Sequence, residues 1–191
     1  MLEHLPRGVG RALKDVRPGL EKVVFNEEIA AGVPDCIELS SSAFEDGAVL
    51  PVRFTEDGEK LSPPLTWKGV PEGTAAVVLL IEDPDAPMPT PLVHTIAWAL
   101  PGGDGELVEG ELKSPGAAGE GISLGRNSFM GAQYLPPDPP PAHGPHRYVF
   151  QVYAVDQPLD LHGKPIRTQL LHAMKGHLIG KGSLIGTYER S

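Results

Sequence analysis

The sequence predicts a mainly β protein, an antiparallel sandwich or barrel with one helix near each end of the chain. The 191 residues include 23 glycines and 21 prolines, which favours many turns and short strands over long helices. Apolar runs of strand length alternate with turn residues, and two segments have the period of amphipathic helices. With 40% hydrophobic residues, the chain can bury one sizeable core.

The strands are predicted where apolar runs are bounded by turn residues. The run Ala75–Glu82 is continuously apolar, which is typical of a strand covered on both faces. The full set of predicted strands is 36–41, 75–82, 92–100, 147–156 and 182–188. They form one domain over residues 35–191.

The two predicted helices flank this domain. Apolar residues recur every three or four positions over residues 1–25, which predicts an amphipathic helical extension that Pro18-Gly19 breaks or kinks near its end. Its apolar face packs either on its own domain or on a second copy, and we favour a contact that supports a homodimer. The second helix is predicted from Pro165 to about Ile179, with Gly180 as its stop.

Charge and composition exclude several classes of protein. The formal net charge is −9 and Lys/Arg runs are absent, so we expect no nucleic-acid partner and no binding to an anionic membrane surface. The single cysteine, Cys36, cannot form an internal disulfide, which fits a reducing compartment. Residues 1–20 lack the apolar core of a signal peptide, and no apolar run has the length of a membrane span. The expected location is the cytoplasm.

The first candidate site follows the buried strand 75–82. Asp83 and Asp85 are held between prolines, and His94 lies seven residues after Pro87 inside the next apolar strand. A reversal of the chain brings His94 near one of these carboxylates, which would favour its imidazolium form and orient the ring. The alternative is that the aspartates cap a turn and His94 is a core residue.

The second candidate site, residues 143–148 (HGPHRY), lies where a Pro-rich loop enters a strand. His146 and Tyr148 are two residues apart, so on an extended chain both side chains point to one face. An imidazole and a phenol together suit an anion or a carbonyl oxygen. Arg147 points the other way and is expected to be structural, paired with an acidic residue.

Two further patterns carry less information. Residues 121–125 (GISLG) match the G-x-S-x-G nucleophile elbow, but the flanking residues do not predict the strand and helix that this motif requires. The chain contains neither H-E-x-x-H nor C-x-x-C, so we expect no metal and no cofactor, although a site of Asp83, His94 and His146 stays open.

The residues of both candidate sites resemble the signature regions of the phosphatidylethanolamine-binding proteins, also called Raf kinase inhibitor-like proteins. Two further segments are similar to the prokaryotic YbhB/YbcL-like branch. The matching residues are 83–87 (DPDAP), His94, Trp98, 144–150 (GPHRYVF), 62–67 (SPPLTW) and 184–190 (LIGTYER). The resemblance extends in order from about Ile37 to Arg190.

The resemblance implies a sandwich of antiparallel sheets with Greek-key connections and a pocket at one end. In the family, this pocket accepts phosphate, phosphorylated headgroups such as phosphorylethanolamine, or small carboxylates. The family's pocket residues map onto Asp83, Asp85, His94, His146 and Tyr148. The family's Tyr-Gly-Gly-Pro loop is replaced here by residues 134–137 (YLPP), so we expect added bulk and fewer backbone donors at the pocket mouth.

Three functions are compatible with these residues. The first is non-enzymatic binding of a small anion, in which His94, His146 and Tyr148 donate to ligand oxygens and Asp83 orients a histidine. The second is inhibition of a kinase or a serine protease by protein contact, which rests on the family resemblance alone. The third is weak hydrolase activity with Asp83 and His146 as acid and base.

Overall fold

A computed structural model describes residues 6–112 and 122–190, except for the side chain of Arg7. The helices and strands in chain order are α1 (Arg7–Leu13), β1 (Glu38–Ser40), β2 (Leu65–Lys68), β3 (Ala76–Asp83), β4 (Leu92–Pro101), β5 (Gly105–Leu107), β6 (Ser123–Leu124), β7 (His146–Val155), α2 (Arg167–Met174) and β8 (Leu178–Tyr188). Neither described helix has the length and hydropathy that a membrane crossing requires.

The strands form two antiparallel sheets, which confirms the predicted mainly β sandwich. The smaller sheet has the order β1-β2-β5, and the larger has the order β6-β4-β3-β7-β8. The longest pairing joins β7 to β8, from His146 opposite Tyr188 to Val155 opposite Leu178. Strand β3 lies in the middle of the larger sheet, so the residues at its end are held from both sides.

Strand β3 is buried on both faces, as its continuous apolar run predicts. Successive side chains of a strand point to opposite faces, so two apolar clusters share its residues. The cluster toward the smaller sheet contains Val77, Leu79, Ile81, Leu65, Trp67 and Phe150. The cluster on the other face, under α2 and the N-terminal segment, contains Val78, Leu80, Val24, Leu170 and Met174.

The helix predicted over residues 1–25 is wrong in extent for the residues that the structure describes. Helix α1 ends at Leu13, and single 3-10 turns follow at Leu20–Lys22, Val24–Asn26 and Glu28–Ala30. Pro18 cannot donate a helical hydrogen bond and Gly19 adopts a φ of 92°, so the helix cannot continue through them. The segment packs on its own domain, because Val24 is fully buried in the cluster under α2. A homodimer stays a prediction.

Helix α2 is also shorter than predicted. It occupies Arg167–Met174, and the last residues of the predicted helix, Leu178 and Ile179, begin β8 instead. Gly176 has a φ of 83°, which turns the chain out of the helix. Pairing with β7 makes β8 begin at Leu178, earlier in the sequence than predicted. The hydrogen bonds between the strands therefore override the helical spacing of the apolar residues.

A buried ion pair ties the N-terminal segment and α2 to the larger sheet. Glu82 is fully buried on β3, and its Oε1 accepts a hydrogen bond of 2.7 Å from Nε of Arg167. Its Oε2 accepts from the backbone N–H of Val24 and from Nε2 of Gln151, each at 3.0 Å. Three separate parts of the chain therefore depend on one carboxylate.

We expect Glu82→Ala to lower the free energy of unfolding by about 3 kcal/mol, because it leaves Arg167 and Gln151 without their buried partner. The control is Glu59→Ala, which removes an exposed ion pair with Arg53 and should change that free energy by less than about 0.5 kcal/mol. Urea denaturation monitored by tryptophan fluorescence measures both. Equal losses in the two variants would contradict the anchoring role.

Candidate functional site

The two sequence-predicted segments meet at one end of the larger sheet. Asp83 is the last residue of β3, and His146 is the first residue of the antiparallel neighbour β7. Nδ1 of His146 lies 2.7 Å from Oδ2 of Asp83, and both side chains are buried. The carboxylate thus orients an imidazole, and that imidazole belongs to His146.

The other oxygen of Asp83 shapes the turn that follows β3. Oδ1 accepts the backbone N–H of Asp85 at 2.7 Å and that of Ala86 at 3.0 Å. Asp83 therefore caps the turn with one oxygen and contacts His146 with the other.

A chain of hydrogen bonds continues from His146 to the N-terminal segment. Nε2 of His146 lies 2.7 Å from Nδ1 of His143, and Nε2 of His143 lies 2.8 Å from the carbonyl oxygen of Leu13. Both ring nitrogens of His146 are thus engaged by protein groups. In this arrangement, His146 acts on its surroundings through its hydrogen-bond partners.

Asp85 occupies a separate position, in an ion pair with two arginines. Arg147 donates through Nε and Nη2 to the two oxygens of Asp85, each at 2.7 Å, and through its backbone N–H at 2.9 Å. Nη1 of Arg17 lies 3.1 Å from Oδ1 of the same carboxylate. The expected pairing of Arg147 with an acidic residue is confirmed, and the partner is Asp85.

His94 and Tyr148 form an edge-to-face pair beside this network. Their ring centroids are 5.1 Å apart, and both side chains are buried. Nδ1 of His94 lies 2.7 Å from the carbonyl oxygen of Leu135, so Nδ1 carries a proton. Nε2 of His94 and the hydroxyl of Tyr148 are buried and have no hydrogen-bond partner among the residues that the structure describes.

Burial sets the charge state of both rings. It lowers the pKa of His94 below 6.5, with Asp83 opposing that shift, so His94 is neutral at pH 7 with its lone pair on Nε2. Burial also raises the pKa of Tyr148 well above 10, so the hydroxyl keeps its proton. His94 can donate through Nε2 only after it takes up a proton.

A cavity of about 220 Å³ opens at this end of the sandwich. Its wall contains two of the five predicted residues, Asp83 and His94. The remaining lining residues are Glu56, Leu92, Phe129, Leu135, Pro136 and Asp138. His146, Tyr148 and Asp85 are not among these lining residues, and His146 and Tyr148 are connected to the wall through Asp83 and His94. The bulk expected from Leu135 and Pro136 lies at the cavity.

Each of the three carboxylates in the cavity wall has a basic side chain as partner. Asp83 contacts His146, and Glu56 forms an ion pair with Lys60. Oδ1 of Asp138 accepts a hydrogen bond of 2.6 Å from Nη1 of Arg190. The acidic composition of the wall therefore overstates its negative charge.

Sequence reasoning missed Arg17 and gave no role to His143, although His143 begins the second candidate segment. The spacing His143-Gly-Pro-His146 was a usable signal, because a turn at Gly-Pro can bring two imidazoles together. Arg17 had no signal in the sequence, since it reaches residues more than 120 positions away: Nη1 donates to the carbonyl of Pro145 and Nη2 to that of His143, each at 2.8 Å.

The nucleophile-elbow pattern is not supported where the structure describes it. Gly121 lies outside the described residues, whereas Ser123 lies in β6 and pairs with Trp98 on β4. The residues after Leu124 form turns rather than a helix. Among the described side chains, no group of three His, Cys, Asp or Glu is arranged to hold a metal ion.

Residues 40–189 match the family model described as phosphatidylethanolamine-binding protein. The chain belongs to the phosphatidylethanolamine-binding protein family. The UPF0098 protein PH1269 of Pyrococcus horikoshii is 40% identical over 154 residues, which cover 78% of this chain and 75% of the relative. The UPF0098 protein of Aquifex aeolicus is 34% identical, covering 90% of this chain and 99% of that protein.

Solved structures of family members share the fold and support the prokaryotic branch. CT736 of Chlamydia trachomatis, a phosphatidylethanolamine-binding protein homologue, superposes with a TM-score of 0.73 at 33% identity, over 82% of this chain and 99% of that chain. YbcL of Escherichia coli superposes with a TM-score of 0.76 at 25% identity, over 81% of this chain and 99% of YbcL. The contacts from Leu13 and Arg17 lie outside the residues that match the family model.

We expect the stability of the protein to depend on Asp85 in a pH-dependent way. Burial opposes its ionisation, but the hydrogen bonds from Arg147 outweigh burial and lower its pKa below 3.8. A carboxyl whose pKa is lower in the folded than in the unfolded protein stabilises the fold. This stabilisation is complete above the pKa of the unfolded protein and is lost as pH falls through the pKa of the folded protein. The gap in free energy of unfolding between wild type and Asp85→Asn should therefore be constant above about pH 5 and shrink below about pH 4.

Chemical denaturation from pH 3 to pH 7 measures this gap. Asp160→Asn is the control, because its carboxylate is 97% exposed and should leave the pH profile unchanged. A gap that stays constant down to pH 3 would show that Asp85 does not draw its stabilising effect from ionisation.

Proposed function

We propose that this family member is a non-enzymatic binding protein for a small anion, such as phosphate, a phosphorylated headgroup or a small carboxylate. The observation that supports the proposal is a buried nitrogen in the cavity wall, Nε2 of His94, which has no hydrogen-bond partner among the described residues. An unsatisfied buried group costs about 1–3 kcal/mol, and an anion oxygen would recover that cost once His94 has taken up a proton.

The size of the cavity favours a small ligand. Pockets for drug-sized molecules span roughly 300–1,000 Å³. The cavity beside His94 holds about 220 Å³, which suits an ion or a headgroup rather than a lipid with its acyl chains. Leu135 and Pro136 at its wall contribute to this limit, because together they add bulk and Pro136 offers no N–H.

The charges around the cavity allow an anion to bind. Asp83, Glu56 and Asp138 are each paired with a basic side chain, so their field is partly compensated. Protonation of His94 would add a positive charge and convert Nε2 from an acceptor into a donor. Anion binding should therefore be accompanied by proton uptake.

Two alternatives stay predictions. Inhibition by protein contact has a structural neighbour in the carboxypeptidase Y inhibitor, seen in complex with its cognate proteinase, but at 19% identity and a TM-score of 0.56 that likeness concerns the fold alone. Hydrolysis with His146 as acid or base would require His143 to leave Nε2 of His146. The cytoplasmic location is likewise a prediction.

We expect inorganic phosphate to bind wild type more tightly at pH 5.5 than at pH 8, because a protonated His94 donates to the anion and loses that proton as pH rises. His94→Gln keeps a donor for the carbonyl of Leu135 but cannot be protonated, and should weaken binding at pH 5.5 about tenfold. Isothermal titration calorimetry with phosphate and with phosphorylethanolamine measures both effects.

The matched control is His162→Gln, because His162 is 93% exposed and lies outside the cavity wall. Its affinity for phosphate should equal that of wild type at both pH values. Equal affinity at pH 5.5 and pH 8, or no loss in His94→Gln, would count against His94 as the donor. If phosphate and phosphorylethanolamine bind wild type at neither pH 5.5 nor pH 8, the proposed function itself is contradicted.

A further inference from the structure

The N-terminal strap, defined here as residues 6–19, contacts the site although it lies outside the family-matched residues 40–189. Gly10 of α1 packs against the backbone of the Pro-rich loop: a Cβ at this position would lie 2.1 Å from the carbonyl oxygen of Pro141. The backbone N–H of Gly19 donates to the carbonyl of Pro84 at 3.0 Å. The strap is therefore docked at both of its ends.

The strap also ends the hydrogen-bond chain that starts at Asp83. The chain has three links, from Asp83 to His146, from His146 to His143 and from His143 to the carbonyl of Leu13. Each link needs one proton, and both terminal groups, a carboxylate and a carbonyl, can only accept. Three links need three protons, whereas two neutral imidazoles carry only two N–H protons. The complete chain of hydrogen bonds therefore holds one proton more than two neutral imidazoles supply.

The surroundings assign this proton to the histidine pair. Oδ1 of Asp83 already accepts two backbone N–H groups, so the carboxylate serves as the acceptor at this end of the chain. Burial lowers the pKa of His143, which opposes a charge on that ring. His146 lies directly against the Asp83 carboxylate, so the pair as a whole holds the additional proton beside a carboxylate.

Without the Leu13 carbonyl, the proton count changes. The two remaining links need two protons, which two neutral imidazoles supply, so the additional proton is no longer required. Docking of the strap and protonation of the histidine pair are then linked, and each favours the other. The stabilisation that protonation of the histidine pair gives to the docked strap is present at low pH. It is lost as pH rises and the pair releases its proton.

We propose that the N-terminal strap controls the charge of the site, because its docking on His143 holds the pair His143/His146 in the form that carries one positive charge. That charge lies behind Asp83 and favours an anion in the cavity. The statement about the anion rests on the proposed function, whereas the statement about the proton does not.

Other charged groups also act on this pair. Asp83 on β3 favours its protonation, whereas Arg17 on the strap opposes it by Coulomb repulsion. His94 on β4 interacts with both His146 and Asp83, and Asp138 in the Pro-rich loop acts on His94. A test must therefore release the strap without altering these charges.

Glycine substitutions in α1 provide such a test. Gly10→Ala places a methyl group against the carbonyl of Pro141 and should push the strap away from His143. Gly8→Ala is the matched control, because its Cβ would meet no atom of the described residues within 4 Å, and both changes raise helix propensity alike. Neither variant alters a charge or a residue of the site.

We expect the NMR titration of the His143/His146 ring signals, in the ligand-free protein, to show a lower midpoint in Gly10→Ala. A fall of about one pH unit corresponds to a tenfold weaker hold on the proton. Gly8→Ala should titrate as wild type does. Phosphate affinity at pH 7 should fall about tenfold or less in Gly10→Ala and stay unchanged in Gly8→Ala.

Arg17→Ala is a second variant that should release the strap. It is needed in case the strap stays docked in Gly10→Ala despite the added methyl group. It removes the hydrogen bonds to Pro145 and His143, and loss of its positive charge alone would raise the midpoint. A fall in this variant is therefore specific for release of the strap. If the midpoint falls in neither variant, or if phosphate binds more tightly to Gly10→Ala, the proposal is overturned.

The two proposals fail in distinguishable ways. A lower midpoint in Gly10→Ala, together with no phosphate binding by wild type at any pH, supports control of the proton by the strap and contradicts the anion site. Phosphate binding by wild type, with a midpoint that falls in neither release variant, supports the anion site and contradicts control of the proton by the strap.

Discussion

The hydrogen bond between Asp83 and His146 is the interaction on which the rest of the site depends. It joins the end of the central strand β3 to the start of β7, and each partner organises further groups. Asp83 fixes the turn that presents Asp85 to Arg147, and His146 connects through His143 to the N-terminal strap. A buried carboxylate and a buried imidazole tolerate each other only as a hydrogen-bonded pair, so this end of the sheet has little freedom to rearrange.

Charge compensation is the second constraint on this end of the fold. A protein with a formal net charge of −9 places three carboxylates in the wall of one small cavity. Each of Asp83, Glu56 and Asp138 is paired with a basic side chain, and those partners come from different parts of the chain. The local field thus differs from the global charge, because short-range pairs dominate over distant charges in a partly dry site.

The N-terminal segment is integrated into the family fold through two contacts of different kinds. Val24 buries its side chain beneath α2 and donates its N–H to the buried Glu82. Arg17 and Leu13 instead contact the loops that carry Asp85 and His143. The first contact contributes apolar burial to stability, whereas the second places a segment outside the family-matched region within the hydrogen-bond network of the site.

The sequence by itself determined the fold class, the long strands and the two segments that form the site. Strand periodicity and turn residues are local signals, so β3, β4 and β7 were predicted within one or two residues. The extents of the helices were not: α1 ends at Leu13, before the break expected at Pro18-Gly19, and α2 ends early because Gly176 adopts a positive φ and β8 gains its first residues by pairing with β7. Only the tertiary structure decided which carboxylate holds which partner: Asp83 and Asp85 are two residues apart, yet one bonds His146 and the other bonds Arg147 and Arg17. Those partners lie more than 60 positions away, and no local pattern encodes a contact at that distance.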